Sequence, residues 1–425
     1  MYVKRLYLEN FRCYERLELD FDERLTVVVG DNGKGKTAIF DALAKVFEPY
    51  LSLFKVQCSK INASDARNVL VYDGEGHIKG MEAQYPVLIA VSGSVKDTVE
   101  FSWSCRLDAD GGLSYSTADA DSAAYASRLA ATAESNRELV LPVLGYYGTQ
   151  RIWQDSRLLE KYNAAAERVT GYAECLEPTS SYNTFLGWLK NCKDATLLAV
   201  VRQAMDTCLA HTGWSGLKYN EAIGQIVVTN KELGELPISD ALSDGARSVI
   251  SMVADIAYRM VRLNPQMGEQ AAALTPGMVL IDEVDMHLHP AWQQTVINDL
   301  QQIFPKVQFI VTTHSPQVLS TVPAESIRIL EWQSGESRVR RPEFSLGAES
   351  YQLLKEIQDV DSRAQMLPIV KQLKRYLELV ADDEWDSPEA QELRGILNDW
   401  AKGREPALVR ADMDIRLRKL RRSRQ

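Results

Sequence analysis

Residues 30–37, GDNGKGKT, separate the apolar run TVVV from the apolar stretch IFDALAKVF. They fill the spacing G-x-x-x-x-G-K-[ST], which between a strand and a helix is typical of a phosphate-binding loop. The glycines let successive backbone N–H groups turn towards an anion, and the helix that follows adds the positive end of its dipole. The pattern predicts an α/β domain in which a buried strand, this phosphate loop and a helix follow one another.

The polar side chains of the phosphate loop have distinct predicted tasks. We expect Lys36 to reach the β- and γ-phosphates of a nucleotide and Thr37 to offer its hydroxyl to magnesium, which prefers oxygen ligands. The alternative is a glycine-rich turn that binds nothing, and the strand before and the helix after make it the weaker interpretation. The candidate nucleotide-binding residues are Gly30, Asn32, Gly33, Lys34, Gly35, Lys36 and Thr37.

Length and composition are those of a soluble globular protein. The chain has 425 residues, 45% of them hydrophobic and 25% charged, which predicts two or three structural units. No uncharged apolar run approaches the roughly 18 residues of a membrane helix, and the charged start MYVKRLYLEN is unlike a signal peptide. We therefore expect a cytoplasmic protein with no membrane partner. The six cysteines form no C-x-x-C pair, which argues against a zinc site or a disulfide framework.

The charge is unevenly distributed. A net charge of −10 argues against a surface coated with nucleic acid, although a local basic groove remains compatible with it. The tail VRADMDIRLRKLRRSRQ breaks the trend with seven Lys and Arg against two Asp. It could meet phosphate or an acidic partner, or it could be a solvated helix end.

Hydrophobic periodicity suggests four regions. Alternating strands and the phosphate loop occupy residues 1–115, and 116–235 is predicted to be a mostly helical insertion that starts with a polar linker at 116–124. Further strands and motifs fill 236–345. The remaining residues, 346–425, have helical periodicity, and Ser387 followed by Pro388 is typical of a capped helix start.

A second anion site is predicted in DALSDGARSVISMVADIAYRMV. Ser243 can cap a helix with regularly spaced apolar residues, and Gly245 would leave its start bare. A bare helix start with a hydroxyl can hold an anion, although most serine-capped helices bind nothing.

Two further strands end in polar residues. The apolar run before Asp282 and Glu283, in GMVLIDEVDMHLHP, predicts a buried parallel strand with both acids at its carboxyl end. Asp282 suits the magnesium shell, and Glu283 suits a general base that positions water. The strand VQFIVTTHSP then delivers His314, which could hydrogen-bond a γ-phosphate oxygen and which taken alone would be read as structural.

In this order, GDNGKGKT, LSDGARS, VLIDEVDMHLHP and TTHSP resemble the ATP-binding-cassette (ABC) ATPase head, in the branch that contains RecF, SMC and OLD-type proteins. The start LENFRCYERLELDF also resembles that branch. The resemblance covers roughly residues 1–50 and 240–335 and implies a mixed central sheet with helices, interrupted by the insertion and followed by the C-terminal helical appendage. It implies ATP and Mg²⁺ as ligands and ATP hydrolysis as the activity.

The resemblance assigns roles by position. The glycines, Asn32, Lys36 and Thr37 of the phosphate loop match Walker A, and Asp282 and Glu283 match Walker B. Ser243 and Gly245 match the signature motif, residues 285–289 occupy the D-loop position, and His314 matches the switch histidine. Arg12 matches a position that approaches the nucleotide in relatives. The sequence departs from the family in LSDGAR, which replaces LSGGQ, and in Lys34, which replaces a small residue. The candidates for the Q-loop glutamine are Gln57, Gln84 and Gln150.

Heads of this kind work as head-to-tail dimers, in which the signature of one chain completes the ATP site of the other. The resemblance therefore implies a homodimer or a higher homo-oligomer. A long coiled-coil arm and a zinc hook are not expected, because heptad runs and C-x-x-C are missing. We also expect no nuclease centre in this chain, because the acids of ADDEWDSPEA lie in a linker-like stretch.

Residues 346–425, together with YYGTQRIW and GYAECLEPTSSYNTFLGWL, resemble the ATPases of Septu-type anti-phage systems, which are also found beside retrons. The resemblance implies a nucleotide-controlled sensor that holds a separate HNH nuclease chain, with DNA or a retron nucleic acid as a further partner. The alternatives are a RecF-like repair ATPase that binds DNA directly and a scaffold that does not hydrolyse ATP. For Tyr146, Tyr147, Trp153 and Trp188 we favour packing over base stacking.

Overall fold

The computed structural model describes residues 1–422 except 97–98, 118–119, 134, 150–167, 179–187, 193, 211 and 334. The chain divides into two compact units, Met1–Leu353 and Leu354–Gln425. No helix of the described residues is both long and apolar enough to cross a membrane.

The strands among the described residues are β1 (Tyr2–Phe11), β2 (Tyr14–Asp20), β3 (Leu25–Val29), β4 (Asn68–Tyr72), β5 (Ile78–Ala83), β6 (Val87–Lys96), β7 (Val99–Leu107), β8 (Leu113–Thr117), β9 (Val143–Tyr147), β10 (Trp214–Asn220), β11 (Gln225–Asn230), β12 (Gly234–Pro237), β13 (Gly277–Ile281), β14 (Val307–Thr312), β15 (Ile327–Gln333) and β16 (Glu336–Arg340).

The α-helices among the described residues of the first unit lie between these strands. They are Lys36–Val46, Glu48–Ser52, Ala120–Thr132, Ala195–Leu209, Ile238–Ala241, Asp244–Leu263, Ala271–Leu274, Pro290–Gln293, Val296–Ile303 and Pro316–Leu319. We call Lys36–Val46 the phosphate-loop helix and Asp244–Leu263 the signature helix. The helix Ser350–Gln358 follows, and then come Pro368–Ala381, Pro388–Ala401 and Pro406–Arg422.

The central sheet of the first unit has the strand order β16-β15-β3-β14-β13-β9. All neighbouring pairs are parallel except β15 with β16, so the sheet is mixed as predicted. Every residue of β3, β9, β13 and β14 is buried, which explains their continuous apolar runs. Because β3, β14 and β13 are adjacent and parallel, the segments after their last residues meet at one edge of the sheet.

A second, antiparallel sheet of five strands has the order β2-β1-β6-β7-β8. The predicted strands at the N-terminus and around residues 86–106 are confirmed by β1, β2, β6 and β7. The buried Gln308 side chain of β14 joins the two sheets, because it accepts a bond from the Val3 amide at 2.8 Å and donates to the Val3 carbonyl at 2.7 Å.

The region 116–235 contains more strand than its periodicity predicts. The helix Ala120–Thr132 begins inside the stretch that we expected to be a linker. The apolar run ending in Tyr147 forms β9 at the edge of the central sheet, and β10, β11 and β12 form a small antiparallel sheet. A short apolar run fits a buried strand as well as a buried helix, and pairing with the distant β13 decides for the strand.

The second unit is helical, as its sequence predicts. The Ser387 hydroxyl accepts a bond from the Ala390 amide at 3.2 Å, and Pro388 occupies the first turn of its helix. Its core is built from the last three helices and from Trp385, which lies between the first two of them: Leu373, Tyr376, Leu379, Val380, Trp385, Ala390, Leu397, Ala401, Leu408 and Ala411.

Candidate functional site

The phosphate loop leaves β3 and enters the phosphate-loop helix at one edge of the central sheet. Gly33 and Gly35 have φ angles of 82° and 88°, which an L-residue rarely adopts. A Cβ on Gly35 would come within 2.5 Å of both Cys13 Sγ and Tyr14 Oη, so only glycine fits there. The Tyr14 hydroxyl also donates to the Lys34 carbonyl at 2.8 Å, and this bond holds the backbone of the loop in place.

The tip of the loop is open. Asn32 and Gly33 are exposed, and Lys34 Nζ lies 4.0 Å from Asp31 Oδ2. Lys36 is turned into the loop and donates to the carbonyl oxygens of Gly30 at 2.7 Å and Asp31 at 3.2 Å. Lys36 therefore lies against the backbone of the loop, whose N–H groups are the other donors that a bound phosphate would use.

Burial lowers the pKa of Lys36 below its ordinary value, and the nearby carboxylates of Asp282, Glu283 and Asp31 offset part of that effect. An anion bound beside the Lys36 ammonium group would favour its charged form and raise this pKa again.

The predicted magnesium ligands lie in direct contact. The Thr37 hydroxyl donates to Asp282 Oδ2 at 2.8 Å, and the Thr312 hydroxyl donates to Asp282 Oδ1 at 2.6 Å. A hydroxyl and a carboxylate on adjacent elements suit Mg²⁺, which keeps waters and substrate phosphates as its other ligands. Among the described residues no group of three or more His, Cys, Asp and Glu could hold a metal. Thr312, whose role the sequence did not suggest, ends the strand between β3 and β13.

Glu283 and His314 follow the ends of β13 and β14. The Glu283 amide donates to the Thr312 hydroxyl at 2.7 Å. Its φ of 49° is left-handed, a conformation that costs a non-glycine residue energy and is often found at functional sites. His314 is half-buried and lies beside Thr313, whose hydroxyl donates to Asp285 at 2.5 Å.

The signature helix packs on residues 285–289, which we call the Asp285 loop. Ser243 is exposed and caps the helix, with Oγ accepting a bond from the Ala246 amide at 3.4 Å. Gly245 is buried rather than bare, because a Cβ there would come within 2.0 Å of the His287 carbonyl oxygen. Among the described residues, neither Ser243 nor Gly245 is hydrogen-bonded to the phosphate loop of the same chain.

Arg12 is held by two carboxylates of its own chain. It pairs with Asp41 of the phosphate-loop helix and, through Nε, with Asp65 at 3.2 Å. Asp65 is 1% exposed and also pairs with Lys45. Two sequence-distant acids thus place the Arg12 guanidinium beside the phosphate-loop helix.

The remaining candidates are dispersed. Gln57 is exposed, Gln84 donates to the Glu82 carbonyl at 3.3 Å, and Gln150 lies outside the described residues. Tyr146, Tyr147 and Trp188 are almost fully buried, as expected for packing residues, whereas Trp153 lies outside the described residues.

Comparison with known proteins matches residues 2–338 to the family described as RecF/RecN/SMC N terminal domain. One relative is "Retron Ec83 probable ATPase" of Escherichia coli. It is 25% identical over an alignment 482 residues long, gaps included, that covers 98% of this chain and 87% of the relative. Another, "Retron Vc95 probable ATPase" of Vibrio cholerae serotype O1 biovar El Tor, is 24% identical over 392 residues, 77% of this chain and 73% of the relative. "Septu protein PtuA" of Bacillus mycoides (strain KBAB4) is 23% identical over 357 residues, 80% of this chain and 42% of the relative.

Proposed function

Because this chain belongs to the family of RecF/RecN/SMC N-terminal domains, we propose that it binds and hydrolyses ATP at the edge of its central sheet. The observation that carries the proposal is the 2.8 Å hydrogen bond between Thr37 and Asp282, which brings together two motifs that lie far apart in the sequence. Two relatives whose names read "probable ATPase", both from retrons, support the same activity.

The proposed mechanism assigns the triphosphate to the backbone N–H groups of residues 30–37 and to Lys36. Thr37 and Asp282 would hold Mg²⁺, which when bound neutralises charge on the phosphates. Glu283 orients the attacking water and accepts its proton, and His314 contacts the γ-phosphate oxygens. The backbone of Glu283 is left-handed and its amide donates to the Thr312 hydroxyl, which fixes the residue that carries this carboxylate directly after Asp282.

We propose that two copies of the chain join head to tail, with Ser243 of each copy facing the nucleotide of the other. The exposed position of Ser243 at the positive end of a 20-residue helix supports this arrangement. Loss of the γ-phosphate would then loosen the dimer.

ATP turnover by the purified chain tests the activity. Asp282→Asn should abolish Mg²⁺-dependent hydrolysis, whereas Asp240→Asn, at an exposed side chain of the helix Ile238–Ala241, should leave it unchanged. Equal turnover by wild type and Asp282→Asn would contradict the proposed site.

The wider role that we propose is that of a cytoplasmic sensor in an anti-phage defence system, which controls a separate HNH nuclease. The names of the retron and Septu relatives support this context. The helix Pro406–Arg422 offers a docking face, because it exposes Val409, Met413, Leu417 and Leu420 at helical spacing. No ion pair within residues 354–422 engages the flanking Arg410, Arg416 and Arg421, so the face suits an acidic, partly apolar partner surface.

Co-expression with an HNH protein encoded beside this chain tests the partner. The full chain should retain that protein on an affinity column, and Met413→Glu with Leu417→Glu should release it. Met366→Glu, at a side chain that is 80% exposed elsewhere in the same unit, is the matched control. Retention by the double variant would place the partner on another surface.

A second candidate function is direct DNA binding in the manner of a RecF-like repair ATPase, and the same arginines favour it. It predicts that the chain alone binds junction DNA with an affinity that falls steeply with salt. A DNA affinity unaffected by Arg410→Ala with Arg416→Ala would remove the last helix from that role.

A further inference from the structure

Strand β9 carries two consecutive tyrosines whose side chains reach different helices. The Tyr146 hydroxyl donates to Asp41 Oδ1 on the phosphate-loop helix at 3.0 Å. The Tyr147 hydroxyl donates to Asp255 Oδ2 on the signature helix at 2.8 Å. Successive side chains of a strand point to opposite faces of the sheet, so this single strand contacts a helix on each face.

Asp255 belongs to a buried ion pair on the signature helix. Its Oδ2 accepts a second bond from Arg259 Nε at 2.7 Å, and Arg259 Nη1 also donates to the carbonyl oxygens of Gly171 at 3.0 Å and Ala173 at 2.8 Å. Tyr147, Asp255 and Arg259 are all at most 5% exposed. Burial opposes the charge of Arg259, yet the Asp255 carboxylate and Tyr147 leave its pKa above the ordinary value. The Tyr147 hydroxyl is therefore anchored to a charged group that cannot turn to solvent.

The backbone of Tyr147 is hydrogen-bonded to Asp282, the proposed magnesium ligand. Its carbonyl oxygen accepts a bond from the Asp282 amide at 2.8 Å, directly after the end of β13. One residue thus joins the acid beside Thr37 to the middle of the signature helix.

We propose that Tyr147 is a positioning residue, which sets the direction of the signature helix relative to Asp282 and so places Ser243 for the nucleotide of a second copy. This inference rests on the proposed head-to-tail ATPase. Asp255 lies roughly 16 Å along the helix from Asp244, so a small rotation at Asp255 becomes a larger displacement at the helix start. The contact of Gly245 with His287 holds the start, and the bond from Tyr147 holds the middle.

The test compares Tyr147→Phe with two matched variants in the full chain. Tyr172→Phe removes a buried hydroxyl that donates to the Pro142 carbonyl at 2.8 Å instead of to Asp255, in the segment whose Gly171 and Ala173 carbonyls accept bonds from Arg259. Tyr146→Phe removes the neighbouring hydroxyl that reaches Asp41 instead. All three replace one buried hydroxyl by hydrogen, so they control for the general cost of losing such a bond.

The first readout is nucleotide-free amide hydrogen exchange. Tyr147→Phe should accelerate exchange at residues 244–250, whereas Tyr172→Phe and Tyr146→Phe should not. The second readout is steady-state kinetics, in which Tyr147→Phe should lower kcat by about tenfold and change KM for ATP by less than about twofold. The third readout is cross-linking between two copies of a chain that carries Ser243→Cys and Asn32→Cys. With ATP present, the yield of cross-linked dimer should be lower when Tyr147→Phe is added.

Unchanged exchange at residues 244–250 in Tyr147→Phe would overturn the proposal, because that measurement needs neither ATP nor a second copy. Equal exchange at residues 244–250 in Tyr147→Phe and Tyr172→Phe would show that loss of any buried hydroxyl in this region has the same effect. That result would also overturn the proposal. Failure of the proposed function would be visible separately, as absence of turnover and of ATP-dependent cross-linking in the variants that retain Tyr147.

Discussion

A Cβ atom on Gly245 would come within 2.0 Å of the carbonyl oxygen of His287 and within 2.5 Å of its carbonyl carbon. The start of the signature helix therefore lies directly on the backbone of the Asp285 loop. His287 has a left-handed φ of 61°, and the same loop is fixed by Gln293, which donates to the Leu288 carbonyl at 3.0 Å. A glycine that we expected to expose helix N–H groups thus has a packing role within its own chain.

Gly245→Ala should destabilise the protein by about 1–3 kcal/mol, because the clash is with backbone atoms and the helix must shift. The midpoint and slope of urea unfolding, monitored by circular dichroism, measure the change. Gly80→Ala is the control, since a Cβ on Gly80 in β5 would meet no atom within 4 Å. Equal unfolding midpoints for the two variants would show that the contact is not as close as described.

Much of the site follows from local sequence patterns. The order of strand, loop and helix around residues 30–37 and the acids after β13 depend on spacing and periodicity alone, and parallel strands bring their carboxyl ends to one edge. The predicted ABC ATPase head architecture is confirmed by the mixed central sheet and by the matched family. The contact between Thr37 and Asp282 was therefore foreseeable.

Other features depend on partners that are remote in the sequence. β9 is a strand because it pairs with β13, more than a hundred residues away, and its own apolar run does not distinguish strand from helix. Asp65 accepts bonds from Arg12 and Lys45, and Gly245 needs to be glycine because of His287. Contacts between residues so far apart in the sequence cannot be predicted from hydrophobic periodicity.

Arg12→Ala should destabilise the first unit by about 1–3 kcal/mol, because the buried Asp65 carboxylate loses one of its donors. Thermal unfolding of the full chain measures the effect. Arg5→Ala is the matched control on β1, the strand that ends just before Arg12, since Arg5 and its partner Asp20 are both largely exposed and such pairs contribute little. If Arg12→Ala instead leaves stability unchanged and raises KM for ATP, contact with the nucleotide is its main role.

ATP affinity should fall as the pH rises above the pKa of Lys36 in the free protein. Burial lowers that pKa, and phosphate charge in the pocket raises it again, so binding takes up a proton between the two values. Titration with a fluorescent ATP analogue measures the affinity from about pH 7.5 to about pH 10, and the slope of log affinity against pH is the quantity of interest. Ordinary lysines stay charged over most of this range. In Lys36→Arg the guanidinium stays charged, so the slope should vanish. The same slope in both proteins would assign the titration to another group.

Glu283→Gln should lower kcat for ATP hydrolysis by at least about a hundredfold, because the amide cannot accept a proton from the attacking water. The backbone bond from residue 283 to Thr312 is retained, and Thr37 and Asp282 are untouched, so ATP and Mg²⁺ should still bind. Size-exclusion chromatography with light scattering should then show an ATP-dependent dimer that outlives the wild-type one. Glu269→Gln, at an exposed acid outside the central sheet, is the control. Turnover by Glu283→Gln at the wild-type rate would show that another group activates the water, and His314 would then be the next side chain to replace.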